Sequence, residues 1–149
     1  MNRVMFRSYL KTDKQICLDL FDANCPEYFA PNERADYLEF LAADPNNYEL
    51  CEVAGSVVGA FGLFDIDTRA NEKALNWILL DPQAQGRGIG STIMARVTAS
   101  AMAAGTTVVH IATSHKAKAF FEKFGAQIQS ITDDGWGPGM HRVDMSISL

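Results

Sequence analysis

The chain has 149 residues, 48% hydrophobic and 21% charged, the make-up of a single globular domain over 1–149 with a core of its own. Thirteen Lys and Arg against 18 Asp and Glu leave a net charge of −5, which excludes a general nucleic-acid binder, because such a surface needs a basic stripe. The longest apolar run, Val57–Phe64, falls far short of the roughly 20 residues of a membrane span, and Arg3 and Arg7 precede SYLKTDKQ rather than an apolar leader.

In chain order, residues 3–10 predict a first strand. Lys11–Asn24 then carries Ile16, Leu18, Leu20 and Phe21 at helical spacing, with Thr12 or Asp13 as cap. A second helix begins at Glu33 behind Asn32, buries Ala35, Leu38 and Leu41, and ends before Pro45. Tyr48–Val53 and Val57–Phe64 predict a hairpin turning at Ala54-Gly55, and residues 74–81 a third strand. Gly90–Ala104 predicts a helix with Ile89, Ile93, Val97 and Ala101 on one stripe. TTVVHIAT is a buried strand, and HKAKAFFEKFGA a short helix closed by Gly125. Strands around 127–132 and 142–148 finish the chain, joined by DDGWGPGM, whose glycines suggest a mobile flap. The order β-α-α-β-β-β-α-β-α-β-β predicts an α/β (α+β) fold with a mixed sheet.

Cys17, Cys25 and Cys51 are odd in number and form no CxxC pair, so reduced thiols in a cytoplasmic protein are expected. His110, His115 and His141 have no metal-ligand spacing with them, and no metal is expected.

The stretch Leu75–Val97 places a strand, a glycine turn and a helix start in succession. A helix start leaves about four backbone N–H groups without partners. Ser, Thr, Asp or Asn ordinarily satisfies one of them. Here Gln85, Gly86, Arg87 and Gly88 precede the helix, and none is a good cap. Free amides, small residues and the planar cation of Arg87 predict an anion site, a phosphate or diphosphate. A P-loop is excluded because GxxxxGK is absent. A dinucleotide fingerprint is excluded because its third glycine falls on Ser91 and no acidic residue follows at the proper distance.

Gln85-x-x-Gly88-x-Gly90 after a strand ending in Asp81-Pro82 resembles the acyl-CoA signature of the GNAT family of N-acetyltransferases. AKAFFEKFGA resembles the family's A-x-x-F-Y-E-K-x-G-F, HRVDMSISL its last strand, and the element order agrees over nearly the whole chain. The resemblance implies a largely antiparallel twisted sheet of about seven strands with helices on both faces. It implies acetyl-CoA as cosubstrate, with its diphosphate on the backbone of Gln85, Gly86, Arg87, Gly88, Ile89, Gly90 and Ser91. The pantetheine arm would run beside Leu79 and Leu80, flanked by Ser114, Phe120 and Phe121, and the 3′-phosphate would meet Lys116 and Lys118. The implied activity is acetyl transfer to a primary amine of a small molecule or peptide. No nucleic-acid or membrane partner is implied, and the expected state is a monomer or homodimer.

The mechanism needs a neutral amine, donors for an oxyanion and a way to release thiolate. The resemblance implies the backbone N–H of Leu80 as oxyanion donor. Its usual tyrosine acid is replaced by Phe121, leaving Ser114, a water or no acid; an alkyl thiolate leaves tolerably unaided. Ala74 stands where many relatives carry a glutamate, so Glu72, Asn76 and His110 are the candidate bases or water-holders. Seven acids between Asp13 and Glu39 against Lys14 and Arg34 suggest an acidic acceptor rim, with Tyr28, Phe29 and Trp136 as an apolar wall. The competing readings are an acyl-CoA sensor without turnover, which Phe121 favours, and an ATP or NAD binder unrelated to CoA.

Overall fold

The computed structural model describes residues 3–149; residues 1 and 2, included in the expected domain, lie outside the described residues. The chain folds as β1 (Val4–Ser8), α1 (Lys14–Ala23), α2 (Glu33–Ala42), β2 (Tyr48–Val53), β3 (Ser56–Ile66), β4 (Arg69–Leu80), α3 (Ile89–Ala103), β5 (Val108–Ser114), α4 (Lys118–Glu122), β6 (Gln127–Gly137) and β7 (Met140–Ser148). One seven-stranded sheet has the order β1-β2-β3-β4-β5-β7-β6. Only β4 and β5 pair in parallel; every other neighbour is antiparallel.

The sheet separates two apolar clusters. Ile89, Ile93, Val97 and Ala101 of α3 and Phe121 of α4 join Phe61, Leu75, Val109, Ile111 and Met145 on one face. Cys17, Leu18, Leu20 and Phe21 of α1 and Tyr37 and Leu41 of α2 join Tyr48, Leu50, Ala60 and Leu79 on the other. The α3 stripe is thus the one its periodicity predicts. The β2–β3 turn puts Ala54 at φ 52° and Gly55 at φ 82°, the paired positive angles that match a hairpin's twist. Among the described residues no helix is long and apolar enough to cross a membrane.

Several elements differ from expectation. β4 starts at Arg69 rather than 74, which puts Glu72 in the sheet. β6 runs on to Gly137, and the supposed flap is the end of a β6–β7 hairpin, turning tightly at Pro138-Gly139. Ile16 is 40% exposed, so the buried side of α1 is Cys17, Leu18, Leu20 and Phe21. On α2 the buried stripe is Glu33, Tyr37 and Leu41, while Ala35 and Leu38 face outward. Asp13 does not bond the first turn of α1. It accepts from Leu10 N at 2.8 Å and from both terminal nitrogens of Arg7 at 2.8 Å, tying the end of β1 to the helix. The Arg7 guanidinium holds the Asp13 carboxyl below the usual range.

Candidate active site

β4 and β5 pair over only four positions, Glu72–Leu75 with Val108–Ile111. Beyond them β4 stays on β3, with Asn76 opposite Gly62 and Leu79 opposite Ala60. β5 stays on β7, with Ala112, Thr113 and Ser114 opposite Asp144, Val143 and Arg142. The two strands therefore part, and a cleft of about 570 Å³ opens between them.

A bulge in β4 shapes this gap. Three residue steps from Asn76 to Leu79 face two steps from Gly62 to Ala60, and Trp77 sits at φ 48°. An inserted residue reverses the faces of everything after it. Leu75 accordingly joins the α3 side and Leu79, an even number of residues on, joins the α1–α2 side. A left-handed tryptophan costs energy and needs surroundings that hold it. Tyr48 Oη donates to Trp77 O at 2.6 Å, and Tyr37 Oη lies 2.8 Å from Tyr48 Oη. The single Tyr48 proton is spent on the carbonyl, so Tyr37 is the donor to Tyr48. Both hydroxyls are buried, which pushes their titration far above the ordinary tyrosine range. Tyr48→Phe leaves the Trp77 carbonyl without its donor and the Tyr37 hydroxyl without its acceptor. The expected cost is about 2 kcal/mol, read as a lower urea midpoint with unchanged slope.

One end of the cleft is shaped by the α3 start. Gly88 is the N-cap at φ 78° and provides no side-chain bond to the first turn, so the amides stay open. Asp81 does cap, but for the preceding short turn, accepting from Gln83 N at 2.9 Å. Gln85, Gly86, Gly88, Gly90 and Ser91 line the cleft. The side chains of Arg87 and Ile89 do not: Arg87 is exposed to solvent and Ile89 is buried in the core. A Cβ on Gly90 would lie 2.6 Å from the Phe120 ring, so close packing of α3 on α4 explains that glycine. Leu79, Leu80, Ser114, Phe120 and Phe121 also line the cleft. Ser114 Oγ is buried with no hydrogen-bond partner among the described residues. Lys116 and Lys123 line the cleft; Lys118 does not.

The other end of the cleft is built by α2, the segment before it, and the β6–β7 hairpin. Tyr28, Phe29 and Trp136 line it, with Trp77 and Asn76 from β4. Trp136 is pinned: its Nε1 donates to Thr113 O at 2.8 Å, and its carbonyl accepts from Asn32 Nδ2 at 2.7 Å. Asn32 is thus engaged in holding the hairpin rather than capping α2. Asn24 Nδ2 donates to Leu20 O at 2.8 Å and to Leu80 O at 3.1 Å, fastening α1 to the last residue of β4.

Two candidate bases lie elsewhere. Glu72 and His110 contact each other at 2.5 Å, with Arg69 at 3.4 Å from both, where β4 and β5 are still paired. Neither lines the cleft, because the strands separate only after Leu75 and Ile111. Of the three candidates, Asn76 alone is in the cleft. The sequence counts Glu33 only as one of the seven acids of the expected rim; it is 5% exposed and is the only carboxylate among the described residues lining the cleft, so the other six do not line it. Burial pushes its pKa up to about 7, with the nearby Asp36 adding to the rise. A stripe seeded on Tyr37 and Leu41 instead of Ala35 would have put Glu33 on the inner face.

The Acetyltransferase (GNAT) family model matches residues 17–126. No curated protein sequence matches the chain. Similar solved structures include a Desulfovibrio desulfuricans protein assigned as a GNAT-family acetyltransferase (18% identity, TM-score 0.81, 98% of this chain and 99% of that one). Ard1 from Thermoplasma volcanium is 18% identical at TM-score 0.80, over 98% and 97% of the two chains. YncA from Salmonella typhimurium, assigned as an acetyltransferase and solved with its cofactor acetyl-CoA, is 15% identical at TM-score 0.74, over 99% and 94%. With well over half of the sequence matched by the family and the seven-stranded architecture in agreement, the chain belongs to the acetyltransferase (GNAT) family.

Proposed function

We propose that the protein transfers an acetyl group from acetyl-CoA to a primary amine by direct attack on the thioester. The observation that carries this reading is the uncapped start of α3 at the mouth of a gap between β4 and β5. Open amides at a helix N-terminus favour a diphosphate, and Lys116 and Lys123 add positive charge to the same cleft. The residues present fit the cosubstrate: an orphaned Ser114 hydroxyl faces a space flanked by Leu79, Leu80 and Phe120, the setting an amide-bearing apolar arm requires. When bound, acetyl-CoA supplies the activated acetyl group.

The chain's own part is to bind, orient and exclude water. Gly86, Gly88 and Gly90 keep the backbone approachable. Leu80 offers its backbone N–H toward the developing oxyanion, its position secured through Asn24. Phe121 is 3% exposed and has no proton to give, so the thiolate leaves unaided or with a water. Tyr28, Phe29, Trp77 and Trp136 form the acceptor wall. Three free cysteines support a reducing, cytoplasmic setting.

The deciding experiment combines calorimetric titration with coenzyme A and a thiol-release assay with acetyl-CoA over a panel of amines. Binding with thiol release for at least one amine is expected; no affinity for coenzyme A overturns the reading. Phe121 favours a second reading, a sensor, which tight binding without release for any amine would support. Ser114→Ala gives a finer check. The hydroxyl has no protein partner to lose, so the melting temperature stays within a degree or two. Affinity for coenzyme A falls about fivefold, the worth of one hydrogen bond of about 1 kcal/mol.

A further inference from the structure

The acceptor end of the cleft holds one buried carboxylate and no cation to match it. Glu33 Oε2 accepts from Ala30 N at 2.7 Å, and this is the only hydrogen bond the described residues give its side chain. No Lys, Arg or His among them forms an ion pair with Glu33. Its neighbour Arg34 turns away to Asp22 at 2.8 Å. A carboxylate taken out of water is costly unless a positive partner meets it. Aromatic rings stand around the same space: Tyr28, Phe29, Trp77 and Trp136. Aromatic faces and a carboxylate together recognise an organic ammonium, the rings through their quadrupoles and the carboxylate through its charge.

Resting on the acetyl-transfer reading above, we propose that Glu33 is the acceptor-binding and proton-accepting group, and that the acceptor is a primary ammonium carried on an aromatic or apolar body. The ammonium enters charged and pairs with the Glu33 carboxylate. Glu33 takes one proton, leaving the nitrogen lone pair free. The nitrogen forms its bond to the acetyl carbon as the carbon–sulfur bond breaks, the second proton leaves with the thiolate as a thiol, and Glu33 returns its proton to solvent. An acid working near neutrality suits this exchange. Asp36 on its own helix acts on Glu33, and Glu33 in turn acts on the Cys25 thiol of the preceding segment. Tyr28, Lys116 and Lys123 are the others lining the cleft.

The test has two arms. In the first, native protein and Glu33→Gln are titrated at pH 8, without coenzyme A, with 2-phenylethylamine and its uncharged isostere 2-phenylethanol. The native protein is expected to prefer the amine by tenfold or more, and the variant to lose that preference. Equal affinity of the native protein for the two overturns the inference, whether or not the protein is an acetyltransferase. In the second, kcat/KM for the best amine is measured against pH. The native profile is expected to rise through an acid limb near pH 7. Glu33→Gln should lose that limb and at least a hundredfold in rate, with coenzyme A affinity kept within twofold. A variant within threefold of native and with the same profile overturns the role of Glu33 while leaving acetyl transfer standing. No coenzyme A affinity in the native protein overturns acetyl transfer, and the first arm still decides the ammonium site.

Discussion

At pH 8 the Glu33→Gln variant melts well above the native protein, and at pH 5 the gap narrows to about 3 °C or less. The folded chain holds the Glu33 pKa near 7 against an ordinary 4.5, because burial disfavours the charged form. From about pH 4.5 to 7 the folded state therefore keeps a proton that the unfolded chain has released. Where the native state binds more protons, stability falls as pH rises. The loss grows across that window and is complete above it. A raise of this size corresponds to about 3 kcal/mol, or about 6–12 °C at the slope of a domain this long. Glutamine keeps the acceptor for Ala30 N and the volume of the side chain, but has no charge to desolvate. Asp13, whose pKa is lowered by Arg7, titrates alike in both proteins and drops out of the difference. Calorimetric melts at pH 5, 6, 7 and 8 check the result; a variant that melts below native throughout contradicts it. A carboxylate kept where it destabilises the fold is what a functional site predicts.

Gly88→Asp loses coenzyme A affinity by a hundredfold or more while the fold survives. Gly88 is exposed at φ 78°, and a Cβ there meets nothing within 4 Å. Aspartate is among the residues that tolerate the left-handed region, so the melting temperature moves by only a few degrees. Its carboxylate stands at the helix start, where the proposed diphosphate binds. Two like charges about 4 Å apart near a surface repel by about 4 kcal/mol. A hundredfold loss requires about 2.7 kcal/mol, so the penalty suffices even after partial screening. Arg87→Ala is the control: its side chain is exposed and outside the cleft lining, and a change of only a few fold is expected. Titration at two salt concentrations separates the charge effect, which shrinks at high salt. Unchanged affinity in Gly88→Asp means that the helix start does not hold the diphosphate.

Local chemistry was readable along the chain. The α3 stripe of Ile89, Ile93, Val97 and Ala101, the Ala54-Gly55 turn and the Gly125 terminus each depend on residues a few positions apart, whose periodicity and allowed angles are properties of the stretch itself. The uncapped helix start belongs to the same class, since the absence of Ser, Thr, Asp or Asn before Gly90 is visible in the letters. The readings that failed needed knowledge of what lies across the sheet. Glu72 and His110 are chemically suitable bases, but their pairing at the closed end of β4 and β5 is a fact of register. Asp13 and Asn32 are good caps by type, yet Arg7, six residues before Asp13, and Trp136, 104 residues beyond Asn32, claim their side chains. Glu33 is one of seven equivalent acids between Asp13 and Glu39 in the sequence, and only the inner stripe it shares with Tyr37 and Leu41 sets it apart. The extra residue at Trp77, which swaps the faces of Leu75 and Leu79, leaves no mark in composition. Its strain is offset by Tyr48 from another strand. Sequence thus determined the elements and the uncapped glycine turn, because those energies are local. Only the tertiary structure decided which carboxylate enters the cleft, because burial and desolvation depend on every chain segment that surrounds a group.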